Sequence, residues 1–301
     1  MSNALDIGGG GYAGLLRAVE EVRRGGRVDL IEPRLRAGGA FVTESFLSPF
    51  RFNLGPTLVQ RPPIPSLHVL EPSPLLAVGD ATLGRARVEL RGAGSVAATL
   101  TESGVSDPRQ RTLLMAFAVL SGIDPEADDS GARLAAECDR IDDLVVVSGG
   151  NGLAVACMID EIIASGSSVV EGVGDVACVR LAAEGLGLCR MFVGLRGRAP
   201  SGRAVATAVG FDDERSLLDR LAAVRSGDVS VPLGFVIANG HLDANHLDER
   251  LESFVWQGVL PFGSRASSSY TDAVLAAVGV DPAAVVFQLL WDADDTGEPL
   301  G

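Results

Sequence analysis

A chain of 301 residues, 47% hydrophobic and 21% charged, is long enough for one large or two small globular cores and too apolar to be disordered. Its 39 acidic side chains outweigh 25 basic ones, all of them arginine, for a formal net charge of −14. Such a surface repels phosphate backbones and anionic lipid, which argues against nucleic acid or a polybasic membrane face as partners.

The first predicted element is a short strand, Ala4 to Ile7, with Asp6 inside it. Gly9, Gly11 and Gly14 then satisfy G-x-G-x-x-G. Leu15, Leu16, Ala18, Val19 and Val22 recur at helical spacing, and Arg23 to Gly26 end the helix with a basic turn and a glycine stop. Val28, Leu30 and Ile31 form the next strand, which closes on Glu32, 23 residues after Gly9. Each part has a physical reason. Gly9 permits the tight turn, Gly11 lets the backbone approach a pyrophosphate, Gly14 lets helix and strand pack closely, and the carboxylate accepts hydrogen bonds from a ribose. The alternative is a glycine-rich turn without a ligand.

Further along, the prolines of residues 61–74 mark a departure from this first domain. Residues 122–143 predict an acidic, solvated linker and a helix capped by Ser or Asp. Residues 145–166 read as a strand end, a glycine turn and an amphipathic helix, and 212–224 as an exposed helix with an acidic first turn. Residues 272–291 predict a helix stopped near Gly279 and a second apolar run. Cys138, Cys157, Cys178 and Cys189 contain no CxxC pair and read as reduced, buried thiols. His241 and His246 lie five apart, off a shared helical face, and predict no metal site. Ser148 precedes its glycines instead of sitting between them, so it is not a nucleophile elbow. Asp243, Asp292, Asp294 and Asp295 could serve as acid or base or form a solvated loop; Arg51 and Arg61 could meet an anion or lie at the surface. No run approaches the ~18 apolar residues of a spanning helix. With no basic and apolar leader at the N-terminus, the expected location is the cytoplasm.

Several segments, taken together, carry a family resemblance. They are "EPRLRAGGAFVTE" (32–44), "FRFNLGPTLV" (50–59), "DPRQRTLLMAFAVLSGIDP" (107–125), "SGGNGLAVACMIDEIIASGSSVVEGVGDV" (148–176), "VPLGFVIANGHLDANH" (231–246) and "VVFQLLWDADDTGEPLG" (285–301). With the glycine fingerprint and in this order, the chain resembles the phytoene desaturase-like branch of the FAD-dependent flavin-containing amine oxidase superfamily. The resemblance implies FAD as cofactor. Gly9, Gly11, Tyr12, Ala13, Gly14, Glu32, Pro33, Gly38, Gly39 and Ala40 would line the dinucleotide, Asn53, Gly55, Pro56 and Thr57 would pass the flavin, and Val173 and Asp295 would belong to later cofactor-binding segments.

The implied fold class is α/β: a Rossmann-like FAD/NAD(P)-binding domain of the GR2 type with a reduced, inserted α+β substrate domain. Residues 1–60, 145–180 and 256–301 would form the discontinuous FAD-binding domain, and 61–144 and 181–255 the substrate domain. The implied activity is an FAD-dependent desaturase or dehydrogenase acting on a hydrophobic small molecule of polyene or terpenoid type, as in secondary metabolism. The amine-oxidising subgroup commonly uses an active-site lysine and an aromatic cage, whereas this chain has no lysine and only Tyr12, Tyr270, Trp256 and Trp291 as its tyrosines and tryptophans.

Departures from the family pattern keep two alternatives open. Asn53 stands where the family has Asp, and Ala40 where it has Arg. The 60–105 region is short, the segment expected after Val176 is largely missing, and the sequence stops at Gly301, where the family continues into a helix facing the flavin pyrimidine. The alternatives are a redox-inactive isomerase, cyclase or binding module on the flavin fold, and a truncated subunit completed by a partner. A homo-oligomer is equally compatible with the sequence.

Overall fold

The computed structural model describes residues 4–32, 37–39, 41–171, 186–200, 204–240, 250–261, 264 and 267–292. The chain divides into two units. The first takes its described residues from Met1–Glu71 and Val145–Ala177, the second from Pro72–Leu144, Cys178–Gly240 and Leu247–Gly301.

The first unit begins with β1 (Leu5–Gly8), α1 (Tyr12–Arg23) and β2 (Val28–Glu32). Leu15, Ala18 and Val19 form the buried stripe of α1, three of the positions that set its helical period. β3 (Thr43–Leu47) and β4 (Phe50–Asn53) make an antiparallel pair; β5 (Val59–Gln60) and β6 (Val69–Leu70) follow. The unit resumes at β9 (Leu144–Val147), α5 (Asn151–Ala164) and β10 (Ser168–Glu171).

Its principal sheet has the order β1-β2-β10 and is parallel throughout, with Ile7 opposite Leu30 and Val169 opposite Leu30 on the other side. Parallel strands joined through helices are the expected product of a strand–helix–strand sequence. The first strand is four residues long with one buried position, Ile7, in keeping with its weak apolar signal. Ile31, one of the apolar positions of β2, is 37% exposed, because alternation turns Val28, Leu30 and Glu32 inward together. The proline-rich segment is not where this unit is left: β6 pairs antiparallel with β9 through Val69–Val147, and β5 flanks β9 on its other edge.

The second unit is built on a seven-stranded sheet. Its strands are β7 (Leu76–Val78), β8 (Ala81–Leu83), β11 (Leu186–Arg196), β12 (Ala206–Val209), β13 (Gly234–Ala238), β14 (Leu251–Pro261) and β15 (Val285–Asp292), in the order β15-β11-β14-β13-β12-β7-β8. All neighbours are antiparallel except β12 and β7. Its helices are α2 (Val96–Glu102), α3 (Pro108–Leu120), α4 (Ser130–Cys138), α6 (Glu214–Arg225) and α7 (Ser268–Ala277).

Asp107 caps α3 and Pro108 occupies its first position, both favoured there. Residues 112–119 are buried without interruption, so α3 is apolar all round and central to its unit. α6 opens on a capping box in which Asp213 and Ser216 satisfy one another's backbone N–H groups.

Residues 251–292 hold β14, α7 and β15 of the second unit, and β14 pairs with β11 along its full length, from Leu186–Pro261 to Arg196–Leu251. One expectation is corrected here. The acidic 122–143 stretch is not simply solvated. Asp124 is 5% exposed and accepts from Arg225 Nη2 at 2.6 and 2.7 Å and from Glu126 N–H at 3.1 Å, and Ser130 is fully buried, accepting from Val96 N–H instead of capping α4.

Candidate functional site

The turn between β1 and α1 gathers the fingerprint residues. Gly9 adopts φ +90°, a left-handed conformation that favours glycine, and its N–H donates to Ile31 O at 2.8 Å, tying the turn to β2. A Cβ at Gly14 would overlap the carbonyl oxygen of Gly9, so close packing of helix on turn demands glycine there. Gly11 differs from both. Its φ of −65° and ψ of 176° suit any residue, and no described atom lies within 4 Å of where its Cβ would be.

Gly11 is also the N-cap of α1, with no capping side chain and no acidic residue in the first turn. The leading N–H groups of a helix, here those of Tyr12, Ala13 and Gly14, lack intrahelical acceptors and carry the positive end of the dipole. An oxyanion is the group such a terminus accommodates.

The segment after β2 folds back onto this turn. Gly38 N–H donates to Gly10 O at 2.7 Å, and Gly38 forms a parallel bridge with Gly11. Gly38 and Gly39 take φ +111° and +56°. A Cβ on Gly38 would crowd Val42 at 2.7 Å and Val155 at 3.2 Å. Glu32, 4% exposed, ends β2 against the same turn.

Tyr12 joins three segments. Its ring stacks on Phe41 with centroids 3.9 Å apart, and its hydroxyl donates to Gln60 O at 2.9 Å. Burial pushes its phenol up from 10.0 to about 12. Because the folded-state value is raised, the stability of the neutral phenol is present below pH 10 and is lost as pH rises toward about 12. Comparing wild type with Tyr12→Phe should therefore show a steeper stability decline over that window in wild type, the remainder in both proteins coming from the buried Cys138 thiol, with phenolate absorbance from Tyr12 emerging near its top. Titration of Tyr12 at about pH 10 would remove the buried clasp.

Asn53, expected beside the flavin, lies in a hydrogen-bond cluster at the start of α5. Asn53 is 1% exposed, and its Oδ1 accepts from Thr43 Oγ1 at 2.8 Å and from Asn151 N–H at 3.0 Å. Thr43 Oγ1 in turn accepts from Gly152 N–H at 3.0 Å, and Asn151 Nδ2 donates to Pro56 O at 2.9 Å. Together these side chains satisfy the start of α5, which follows two left-handed glycines, Gly149 and Gly150. An amide accepting from a hydroxyl and a helix N–H is a helix cap, so here Asn53 holds β4 to α5. Gly55 and Thr57 are buried and Pro56 is exposed.

Arg51 donates to Gly149 O at 3.4 Å, and Arg61 pairs with Glu71. Cys138 and Cys189 are buried free thiols and Cys157 is half-buried; burial raises the Cys138 thiol to about 12. Pro33, Ala40, Val173, Cys178, His241, Asp243, His246, Asp294 and Asp295 lie outside the described residues, as does the side chain of Asp292.

One residue at the turn escaped the motif. Gly10 fills a position that G-x-G-x-x-G leaves free, and only its proximity to Glu32 distinguishes it. Among the described residues no group of three or more His, Cys, Asp or Glu could hold a metal ion, and no helix is long and apolar enough to cross a membrane.

No protein-family model and no curated protein sequence matches the chain. Solved structures do. A protein from Pyrococcus furiosus is 11% identical with a TM-score of 0.62, covering 96% of this chain and 88% of its own. A reduced UDP-galactopyranose mutase is 11% identical at 0.59, covering 96% and 83%. Cyclohexylamine oxidase from Brevibacterium oxydans is 12% identical at 0.55, covering 96% and 84%. At these identities the likeness establishes the fold: a mixed α/β architecture with the Rossmann-like unit of FAD-binding flavoproteins.

Proposed function

We propose that the chain binds FAD through its first βαβ unit and acts as a flavin-dependent oxidoreductase on a hydrophobic small molecule. The observation that carries this reading is Gly11. Neither its backbone angles nor any described neighbour requires glycine, yet it stands at the uncapped mouth of α1, where main chain must come close to a pyrophosphate.

The residues present fit the cofactor. The N–H groups of Tyr12, Ala13 and Gly14 would hold the pyrophosphate, Glu32 would accept from the adenosine ribose, and the Gly38–Gly39 backbone would close over the turn. Bound flavin supplies hydride or electron transfer. The chain's own part is to neutralise the anion with a helix end, to orient the ribose with a buried carboxylate, and to exclude water by packing Tyr12 on Phe41.

The sheet of the second unit is proposed as the substrate-binding part. A polyene or terpenoid-type substrate, as in the phytoene desaturase-like branch, is supported by the order of the sequence motifs and by the absence of lysine. The fold shared with cyclohexylamine oxidase supports redox chemistry. The fold shared with a UDP-galactopyranose mutase supports a second reading, redox-neutral isomerisation on the same cofactor.

The test is an absorption spectrum of purified protein before and after incubation with excess FAD and desalting. Flavin bands released one-to-one on denaturation are expected. A folded, colourless protein would sink the cofactor assignment, and a coloured protein that never reduces an artificial electron acceptor with any apolar donor would favour isomerisation.

A further inference from the structure

Gly10 has no role in the G-x-G-x-x-G pattern, yet the structure leaves it no room for a side chain. An ideal Cβ there would lie 2.9 Å from Glu32 Cβ, 3.1 Å from Glu32 Oε2 and 3.3 Å from Ala37 Cβ. Its backbone is not among the left-handed glycines, so conformational freedom is not the reason for glycine. We propose that Gly10 is a positioning residue for ribose recognition: lacking a Cβ, it lets the Glu32 carboxylate lie against the fingerprint turn, at the place where a dinucleotide presents its adenosine ribose. The proposal rests on the cofactor reading above.

The turn cannot retreat from Glu32 to admit a methyl group. On one side Gly9 N–H donates to Ile31 O at 2.8 Å, within a β1–β2 register that sets Gly8 opposite Ile31. On the other side Gly10 O accepts from Gly38 N–H at 2.7 Å. The two bonds fix the Gly8–Gly9 and Gly10–Gly11 peptide units, one on either side of Gly10. Overlap with Cβ of Glu32, the root of that side chain, cannot be relieved by moving its tip alone. Relief therefore requires the Glu32 backbone itself to shift, carrying with it a side chain that is 4% exposed within close-packed surroundings. The two adjacent glycines thus answer to different constraints. Gly11 has no described atom within 4 Å of where its Cβ would be, which is where a ligand would lie, and Gly10 faces the carboxylate that would read the ligand.

The test compares wild type, Gly10→Ala, Glu32→Ala and the double variant, with FAD affinity measured by fluorescence quenching. ADP and 2′-deoxy-ADP serve as competitors. Wild type should prefer ADP on the order of tenfold, the worth of a hydrogen bond to a charged group. Gly10→Ala should bring that preference close to one, as Glu32→Ala does, and the double variant should lose no more than either single one, since both act through one contact.

A Gly10→Ala protein that weakens ADP and 2′-deoxy-ADP equally would overturn the positioning role. Failure of wild type to bind FAD or ADP would instead overturn the cofactor reading itself. Should Gly10→Ala lower the yield of folded protein, Gly10→Ala/Glu32→Gly removes the overlapped atoms and should fold as well as Glu32→Gly. A pair that stays unfolded would overturn the contact.

Discussion

Replacing Gly11 with valine should abolish FAD binding while leaving the protein folded. The backbone at Gly11 is already in a region valine adopts, and its Cβ would have no described atom within 4 Å, so the expected cost to the fold is that of a poorer N-cap, about 1 kcal/mol or less. The added carbons fill the space in which the main chain would approach the pyrophosphate. A loss of at least ~100-fold in affinity, about 2.7 kcal/mol, is expected from FAD titration, with the denaturation midpoint nearly unchanged. Wild-type affinity in this variant would sink the pyrophosphate assignment. A collapse in stability would show that Gly11 is structural after all.

The largest loss of stability should come from the second unit. Trp256 is fully buried in a cluster with Met191, Phe254, Leu260, Tyr270 and Val274, and its indole N–H donates to Tyr270 Oη at 3.1 Å. Gly258, next on the same face of β14, has no room for even a methyl group: a Cβ would overlap the Tyr270 hydroxyl and the indole nitrogen. Truncation of an aromatic in such a core costs ~3–5 kcal/mol, so Trp256→Ala should lower the urea midpoint steeply. Trp256→Phe keeps most of the apolar volume but leaves the Tyr270 hydroxyl without its indole donor, and should cost roughly 1–3 kcal/mol. A Trp256→Ala protein within 1 kcal/mol or so of wild type would mean that the β11–β14–α7 cluster is not the core of this unit.

The βαβ unit was legible because local rules govern it. The period of Leu15, Ala18 and Val19, the glycine stop after Arg23 and the strand ending at Glu32 each follow from neighbours within a few residues, and the structure has α1 and β2 where these signals put them. Helix α6 with its acidic first turn and the helix stopped by Gly279 at φ +71° were readable for the same reason. The outward face of Ile31 was not legible, because an apolar residue in a strand says nothing about which face it takes until the neighbouring strands are placed.

Long-range pairings were not legible. Thr43, Asn53, Asn151 and Pro56 come from segments up to 109 residues apart, and nothing local marks Asn53 as the cap of a helix that begins almost a hundred residues later. The Asp124–Arg225 pair is similar: an acidic stretch looks solvated until a guanidinium from another helix arrives to offset the burial of its charge. The placement of β14 and β15 in the seven-stranded sheet follows from hydrogen bonds to β11, and edge pairing leaves no trace in a strand's own sequence.

By itself, then, the sequence determined where α1, α5, α6 and α7 form, that the first strand would be weak, and that an acidic, lysine-free protein has little attraction for polyanions. Those are consequences of backbone sterics, periodicity and net charge. Only the tertiary structure decided which glycine serves which purpose. Gly9, Gly10, Gly11 and Gly14 are identical letters within six residues, yet one turns the chain, one makes room for Glu32, one has no described atom near its missing Cβ and one lets a helix touch a carbonyl. A missing Cβ acquires meaning only from the atoms that would have met it.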